Sequence, residues 1–255
     1  MFLAVDIGNT NINNGVFSGG RIKKTFSLPT YGLNLGAEYV KKLKPYLGKL
    51  EGGIIVSVVP KVQGGVVKAL KKVLGKKVFI VGKDVKVPVK NRYRRPREVG
   101  QDRLVNALAG YDLHGGQTII VDFGTAITID IINKQREYLG GVITPGVETS
   151  LSGLAEKAYL LPKVNLKKPK ALLGKETRES MISGAIYGFS SLCDGLVAQL
   201  KKKYCKNAHV IATGGASRLI GPYCKTVERI DTDLTLKGLA KIYGDASSTG
   251  RDLNV

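Results

Sequence analysis

The strongest constraint on this chain is a pattern that starts twice. Residues 2–6 form an apolar run that delivers Asp6 to its end; Gly8-Asn9 follows, then a second apolar stretch near Gly15-Val16-Phe17. The run at Thr118–Asp122 repeats the device. It ends in Asp122, turns at Gly124 and continues as the alternating stretch Ala126–Ile132. The two aspartates stand about one domain length apart, on the order of 100–150 residues. An α/β fold of two similar halves with a cleft between them is therefore expected. The halves are placed at 1–115 and 116–244, with a polar tail at 245–255.

Periodicity fills in the elements. A third strand is expected near Lys23–Leu28. Helical spacing runs over 34–47, Val62–Leu74 and Arg97–Leu113. Ile54–Val59, stopped by Pro60, and Val78–Val81 are continuous apolar runs typical of buried strands. In the second half, strands are expected at Tyr138–Ile143 and Val210–Ala212. Helices fit Thr149–Ala158, Glu176–Lys203 and Leu234–Tyr243.

Composition enters where it excludes something. With 43% hydrophobic residues among 255, an ordinary core is available and a disordered chain is not expected. No apolar run approaches the ~20 residues of a membrane helix, and Met1–Asp6 lacks the basic start of a signal peptide. Cys193, Cys205 and Cys224 are odd in number and widely spaced. They suit a reducing cytoplasm and lack the spacing of a zinc site. The net charge is +20. Its lysines are scattered over polar helix faces and turns, which reads as a solvated basic surface rather than a nucleic-acid footprint.

The chemistry concentrates in three places. In Asp6-Ile7-Gly8-Asn9-Thr10-Asn11, Gly8 allows a phosphate close to the backbone, while Thr10 and Asn11 offer donors. Asp6 would hold Mg²⁺ through water, because that ion keeps several waters and takes few carboxylates. Alone, the run is also ordinary hairpin chemistry. Asp122-Phe123-Gly124-Thr125-Ala126 repeats it, and two such loops can grip a polyphosphate and its metal. Gly214-Gly215 after Val210–Ala212 leaves room for a flat base or ribose. The third place is Gly100-Gln101-Asp102-Arg103, near a helix start. There Asp102 can accept the proton of a substrate hydroxyl, and Arg103 can clamp a carboxylate or phosphate. A capping aspartate with a surface ion pair is the plainer alternative. The chain has no Gly-x-x-x-x-Gly-Lys-Ser/Thr run, no His-x-x-x-His and no Gly-x-Ser-x-Gly, so P-loop, zinc-hydrolase and serine-hydrolase chemistry lack support.

With these residues assembled, the chain resembles the type III pantothenate kinases over roughly residues 2–243. The ordered motifs are Asp6–Asn11 with Gly15, Ser57-Val58-Val59-Pro60, Tyr93-x-x-Pro96, Gly100-x-Asp102-Arg103, Asp122–Ala126, Gly140-Gly141-x-Ile143-x-Pro145-Gly146, Leu161-Pro162, Thr177 with Ser183-Gly184, and Leu234-Thr235-Leu236-x-Gly238-Leu239. The resemblance implies a duplicated ribonuclease-H-like, actin-like ATPase fold. It also implies ATP-dependent phosphorylation of pantothenate, the first step of coenzyme A synthesis, in a cytoplasmic homodimer needing Mg²⁺ and a monovalent cation, K⁺ or NH₄⁺. Carried onto matching positions, Asp6, Ile7, Gly8, Asn9, Thr10, Asn11, Ile12, Asn13 and Thr125 would bind ATP. Tyr93, Gly100, Gln101, Asp102, Arg103 and Thr177 would bind pantothenate, Asp102 would be the proton acceptor, and Asp122 would hold the monovalent cation. No membrane and no specific nucleic acid are expected as partners. A nucleotide-binding regulatory protein of the same fold, or a kinase of another small hydroxylated substrate, are the competing readings.

Overall fold

A computed structural model describes residues 1–248. It groups them into two compact units, each taken by itself. The first comprises Met1–Val89, Arg95–Ala109 and the described residues from Leu234 on; the second comprises Lys90–Arg94 and Gly110–Asp233.

The first unit is a five-stranded sheet: β1 (Phe2–Ile7), β2 (Asn11–Ser18), β3 (Arg21–Pro29), β4 (Gly53–Ser57) and β5 (Val78–Ile80), in the order β3-β2-β1-β4-β5. The first three strands form an antiparallel meander, while β4 and β5 run parallel to β1. Parallel neighbours need crossovers. These are helices α1 (Leu35–Leu43) and α2 (Pro60–Leu74). Asn34 caps α1 through its side chain, an interaction worth about 1 kcal/mol. Pro60 opens α2, where its missing N–H costs nothing, and left-handed Gly75 closes it. Val66 and Leu70 of α2 are buried against Leu3, Val5 and Ile55 of the sheet. Helix α3 (Gln101–His114) has its first nine residues in this unit. It starts at Gln101, not Arg97, because Pro96–Glu98 makes a tight 3₁₀ turn and Val99 is extended.

The second unit repeats the plan. Strands β6 (Lys90–Asn91), β7 (Thr118–Phe123), β8 (Ala126–Ile132), β9 (Glu137–Pro145), β10 (His209–Thr213) and β11 (Arg229–Ile230) lie in the order β11-β10-β7-β8-β9-β6. Without β6, the order and directions match the first sheet strand for strand. Its helices are α4 (Val147–Lys157), α5 (Thr177–Tyr204) and α6 (Ser217–Ile220). The exception to the sequence expectation about membranes is α5, long and apolar enough to cross one by length and composition. Its stripe of Met181, Ala185, Ile186, Cys193 and Val197 belongs to the core of this unit, packed with Ile119 and Val121 of β7. The three cysteines are free and buried. The neighbouring Cys224 thiol, together with burial, pushes the Cys193 thiol up.

Helix α7 (Leu234–Ser248) differs from expectation twice. It belongs to the first unit, not the second half, and it takes residues 245–248 from the expected polar tail. Residues 249–255 of that tail lie outside the described residues. The packing explains both points. Tyr243 stacks on Phe2 with centroids 4.2 Å apart, Leu236 lies over Gly15, and Gly238 sits so close to Val105 that a Cβ would strike its carbonyl. A Lys241–Asp245 pair at 3.6 Å supports the last turns.

Candidate active site

The first loop is set by three strands. Asp6 is the penultimate residue of β1, opposite Asn13 of β2 and Val56 of β4. Gly8, Asn9 and Thr10 make the turn, closed by the Gly8 N–H on the Asn11 carbonyl at 3.0 Å. Ile7 and Ile12 are fully buried and anchor the turn, whereas Asn9, Thr10, Asn11 and Asn13 are exposed. Three bonds hold the loop from outside, one of them from the Thr30 N–H to the Thr10 carbonyl at 3.0 Å. The Thr30 hydroxyl donates to the Gly8 carbonyl at 2.7 Å, and the Val58 N–H donates to the Ile7 carbonyl at 3.1 Å. Asn14, just beyond, is buried. Its amide donates to the Ile12 carbonyl, and its oxygen accepts from the Tyr39 hydroxyl. Burial pushes the Tyr39 phenol up, against the opposing bond to Asn14.

The Gly100–Arg103 segment lies beside this loop within the first unit. A Cβ on Gly100 would lie 3.7 Å from the Val58 side chain, and the Val58 N–H is the one that donates to Ile7. Asp102 is in the first turn of α3, where a negative charge meets the positive end of the helix. Its Oδ1 accepts the Arg103 N–H at 2.8 Å and turns back over Gly100, where a Cβ would collide with it. A side chain at 100 would thus displace the carboxylate from this placement. Arg103 is only 8% exposed, which does not fit a freely solvated surface ion pair. The Gln101 side chain packs instead on Gly82, whose absent Cβ would lie 2.9 Å from its amide carbon.

The second loop has the same placement and a different support. Asp122 is penultimate in β7, opposite Thr128 of β8 and Thr213 of β10. Only Gly124 and Thr125 make the turn, and the Gly124 N–H donates to the Ala126 carbonyl at 3.2 Å. Backbone closes over it. The Gly146 N–H donates to the Thr125 carbonyl at 3.0 Å, joined there by the Thr149 hydroxyl at 2.7 Å, and the Ala216 N–H donates to the Phe123 carbonyl at 3.1 Å. Gly214 has φ +89°, and a Cβ on it would strike Asp122 Oδ1 and the Phe123 backbone. Gly215 meets nothing within 4 Å, an open position of the kind a flat ring needs. Gly214 therefore has a first duty to Asp122.

The remaining expected residues lie in the second unit. Tyr93 is half-buried, its N–H donating to Asn91 Oδ1 at 2.9 Å and its ring lying over Gly140. Thr177 opens α5 and is exposed. A cavity of about 280 Å³ opens beside it, lined by Lys167, Lys168, Glu176 and Arg178. Among the described residues, no group of three or more His, Cys, Asp or Glu could hold a metal. The Asp122 carboxylate, hemmed by glycines at 124 and 214, offers hard oxygen in a cradle that a Cβ would fill. Sequence reasoning missed Thr30 and Thr149, and gave Gly146 only as part of a motif without its role. The two threonines act through backbone carbonyls, which leaves no motif to read.

The family model described as type III pantothenate kinase matches residues 2–199. The chain belongs to that family. Relatives with that name agree over nearly the whole length of this kinase. The protein of Moorella thermoacetica is 39% identical over 250 residues, covering 95% of this chain and 98% of the relative. That of Geotalea uraniireducens is 40% identical with the same coverage. Among solved structures, a Baf-family transcriptional activator from Campylobacter jejuni superposes with a TM-score of 0.63 at 21% identity, covering 97% of this chain and all of that one. A ROK hexokinase from Thermus thermophilus gives 0.53 at 15% identity, covering 97% and 99%. These two likenesses establish the fold: the duplicated ribonuclease-H-like architecture of actin-like ATPases and sugar kinases. Membership makes the chain a kinase, with ATP and a divalent metal as the means of phosphoryl transfer.

Proposed function

We propose that the chain phosphorylates pantothenate from ATP, giving 4′-phosphopantothenate at the entry to coenzyme A synthesis, with Asp102 as the proton acceptor. The observation that carries this is a family match over most of the chain, in which the Asp102 carboxylate lies over Gly100 in space that a Cβ there would fill. Phosphoryl transfer of the loose kind asks for positioning and charge more than for a strong base. A carboxylate fixed at a helix start, beside a buried arginine, supplies both.

The exposed polar groups of Asp6–Asn13 and of Thr125 would hold the phosphates of ATP. Asp6 would hold Mg²⁺ through water and Asp122 the monovalent cation; when bound, these ions offset the charge that develops on the phosphoryl oxygens. Tyr93, Gly100–Arg103 and Thr177 would hold pantothenate, with Arg103 suited to its carboxylate. Because Gln101 turns to Gly82, its contribution would come from the backbone. The kinase would act as a cytoplasmic homodimer. Tyr159, Leu160, Leu172 and Leu173 are each more than two-thirds exposed in one stretch of the second unit, which supports a partner there.

The test is Asp102→Asn. It is expected to fold, to bind ATP and to lose about 10²–10⁴-fold in kcat for pantothenate phosphorylation. Near-normal turnover would remove Asp102 as the base. A panel of other hydroxylated acceptors, each turned over poorly, is expected to separate pantothenate from a sugar-like substrate.

A further inference from the structure

Asp130, Tyr138 and the Gly140-Gly141 pair have no part in the reading above. Asp130 of β8 is a carboxylate 1% exposed, and Tyr138 of β9 is a phenol fully out of solvent. Groups of this kind are costly to bury unless bonded. The Tyr138 hydroxyl donates to Asp130 Oδ1 at 2.7 Å, and the Thr128 hydroxyl donates to Oδ2 at 3.0 Å. Thr128 is the residue directly opposite Asp122.

The strand geometry shows why the pair is there. The β8–β9 register shifts between Ile131 and Ile132, where Gly140 has φ +125°. Such a bulge re-aims side chains, and here it brings Tyr138 to Asp130. Gly141 and Gly140 then stand opposite Asp130 and Ile131 with no side chains of their own. The Tyr93 ring lies beside Gly140. A Cβ on Gly140 would sit 3.5 Å from two of its carbons, and the Tyr93 and Tyr138 rings lie 6.5 Å apart at 46°. The backbone tightens the arrangement, the Arg92 N–H donating to the Tyr138 carbonyl at 2.9 Å.

We infer that Asp130 is a positioning residue for the acceptor: by holding the Tyr138 hydroxyl it fixes the ring beside Tyr93, and so sets the wall that Tyr93 presents to pantothenate. The inference rests on the assignment of Tyr93 to pantothenate made above. Both Asp130 and Tyr138 are buried, so they act through Tyr93.

The experiment is steady-state kinetics on the full chain with ATP and pantothenate varied separately. It uses Tyr93→Ala, Tyr138→Phe, the double variant and Asp130→Asn. Tyr138→Phe keeps the ring and deletes only the bond to Asp130. It is expected to raise KM for pantothenate about threefold to tenfold, the loss of one hydrogen bond, with kcat and KM for ATP within about twofold. In the Tyr93→Ala background the same substitution is expected to add nothing, as coupled residues require. Asp130→Asn keeps an acceptor for the hydroxyl and is expected to disturb KM less than Tyr138→Phe. If Tyr93→Ala raises KM for pantothenate and Tyr138→Phe does not, the positioning role is overturned while Tyr93 keeps its place. If Tyr138→Phe lowers kcat and raises both KM values alike, its role is structural and the proposal also fails. If Tyr93→Ala leaves KM unmoved, the assignment of Tyr93 itself falls, and this inference with it.

Discussion

The loops after β1 and β7 begin with the same device, an aspartate one residue short of a strand's end with a glycine close behind. Each is tied from outside by one hydroxyl and two backbone N–H groups, and they differ in what presses on the carboxylate. The first has three turn residues, held by the Thr30 hydroxyl and by the Thr30 and Val58 N–H groups. The second has two, held by the Thr149 hydroxyl and by the Gly146 and Ala216 N–H groups, and there Gly214 is pressed against Asp122. Duplication thus preserved where the carboxylate is delivered and changed what surrounds it. A loop with exposed amides and a hydroxyl suits direct phosphate contact, whereas a carboxylate enclosed by glycine backbone suits a fixed ion.

The comparison is most exposed at Gly214. Gly214→Ala puts a methyl group onto Asp122 Oδ1 in a left-handed residue. A loss of about 2–4 kcal/mol is expected in urea unfolding, with activity lost as well. A variant as stable as the parent would show that the second loop does not depend on that close approach. Next come the two aspartates. Asp122→Asn is expected to flatten the preference for K⁺ or NH₄⁺ over Na⁺, and Asp6→Asn to raise the Mg²⁺ requirement, each with about a tenfold or greater fall in kcat. Identical ion profiles for the two variants would erase the division of labour. Thr30→Val removes one hydroxyl of similar shape and leaves the Gly8 carbonyl with one donor fewer. About 1 kcal/mol of stability and a severalfold rise in KM for ATP are expected, with KM for pantothenate unchanged.

The smallest effect concerns the sheet edges. In the second unit β9 carries the extra strand β6, and Glu137 binds across that seam to Arg92 and Lys90. The Arg92 hydrogen bond, then that of Asn133, holds the Glu137 carboxyl down at about 2 from an ordinary 4.5. A lowered carboxyl stabilises the fold above its ordinary value and loses that contribution as pH falls from about 4.5 toward 2. The gap in Tm between the parent and Glu137→Gln is therefore expected to be small and constant near neutrality and to close over that acidic window. A gap that persists at pH 2 would assign the effect to packing.

Much of this was legible in the residues alone. Apolar runs at Phe2–Val5 and Thr118–Val121 read as central strands because they are buried on both faces, and repetition of the run with its aspartate marked the duplication. The helix start near Gly100–Arg103 was legible because its signals are local. Strands β6 and β11, two residues each, have no periodicity to detect. The supports of the loops were hidden for a different reason. Thr30, Thr149 and Gly214 act on a backbone carbonyl or on Asp122, all distant in sequence, and only the folded chain brings them there. The unit membership of α7 was likewise a matter of packing, since its apolar spacing fits either sheet.

That last helix has a consequence for synthesis. Residues Gly110–Asp233 include five of the six strands of the second unit and all of its helices from α4 to α6, so this part is complete once Asp233 has left the ribosome. The earlier unit must wait longer. Phe2 and Gly15 are covered by Tyr243 and Leu236, which emerge after Asp233. The half that is made first is therefore finished second, and a chain stopped just before Leu234 would present the bare flank of β1 and β2 to whatever chaperone meets nascent apolar surface.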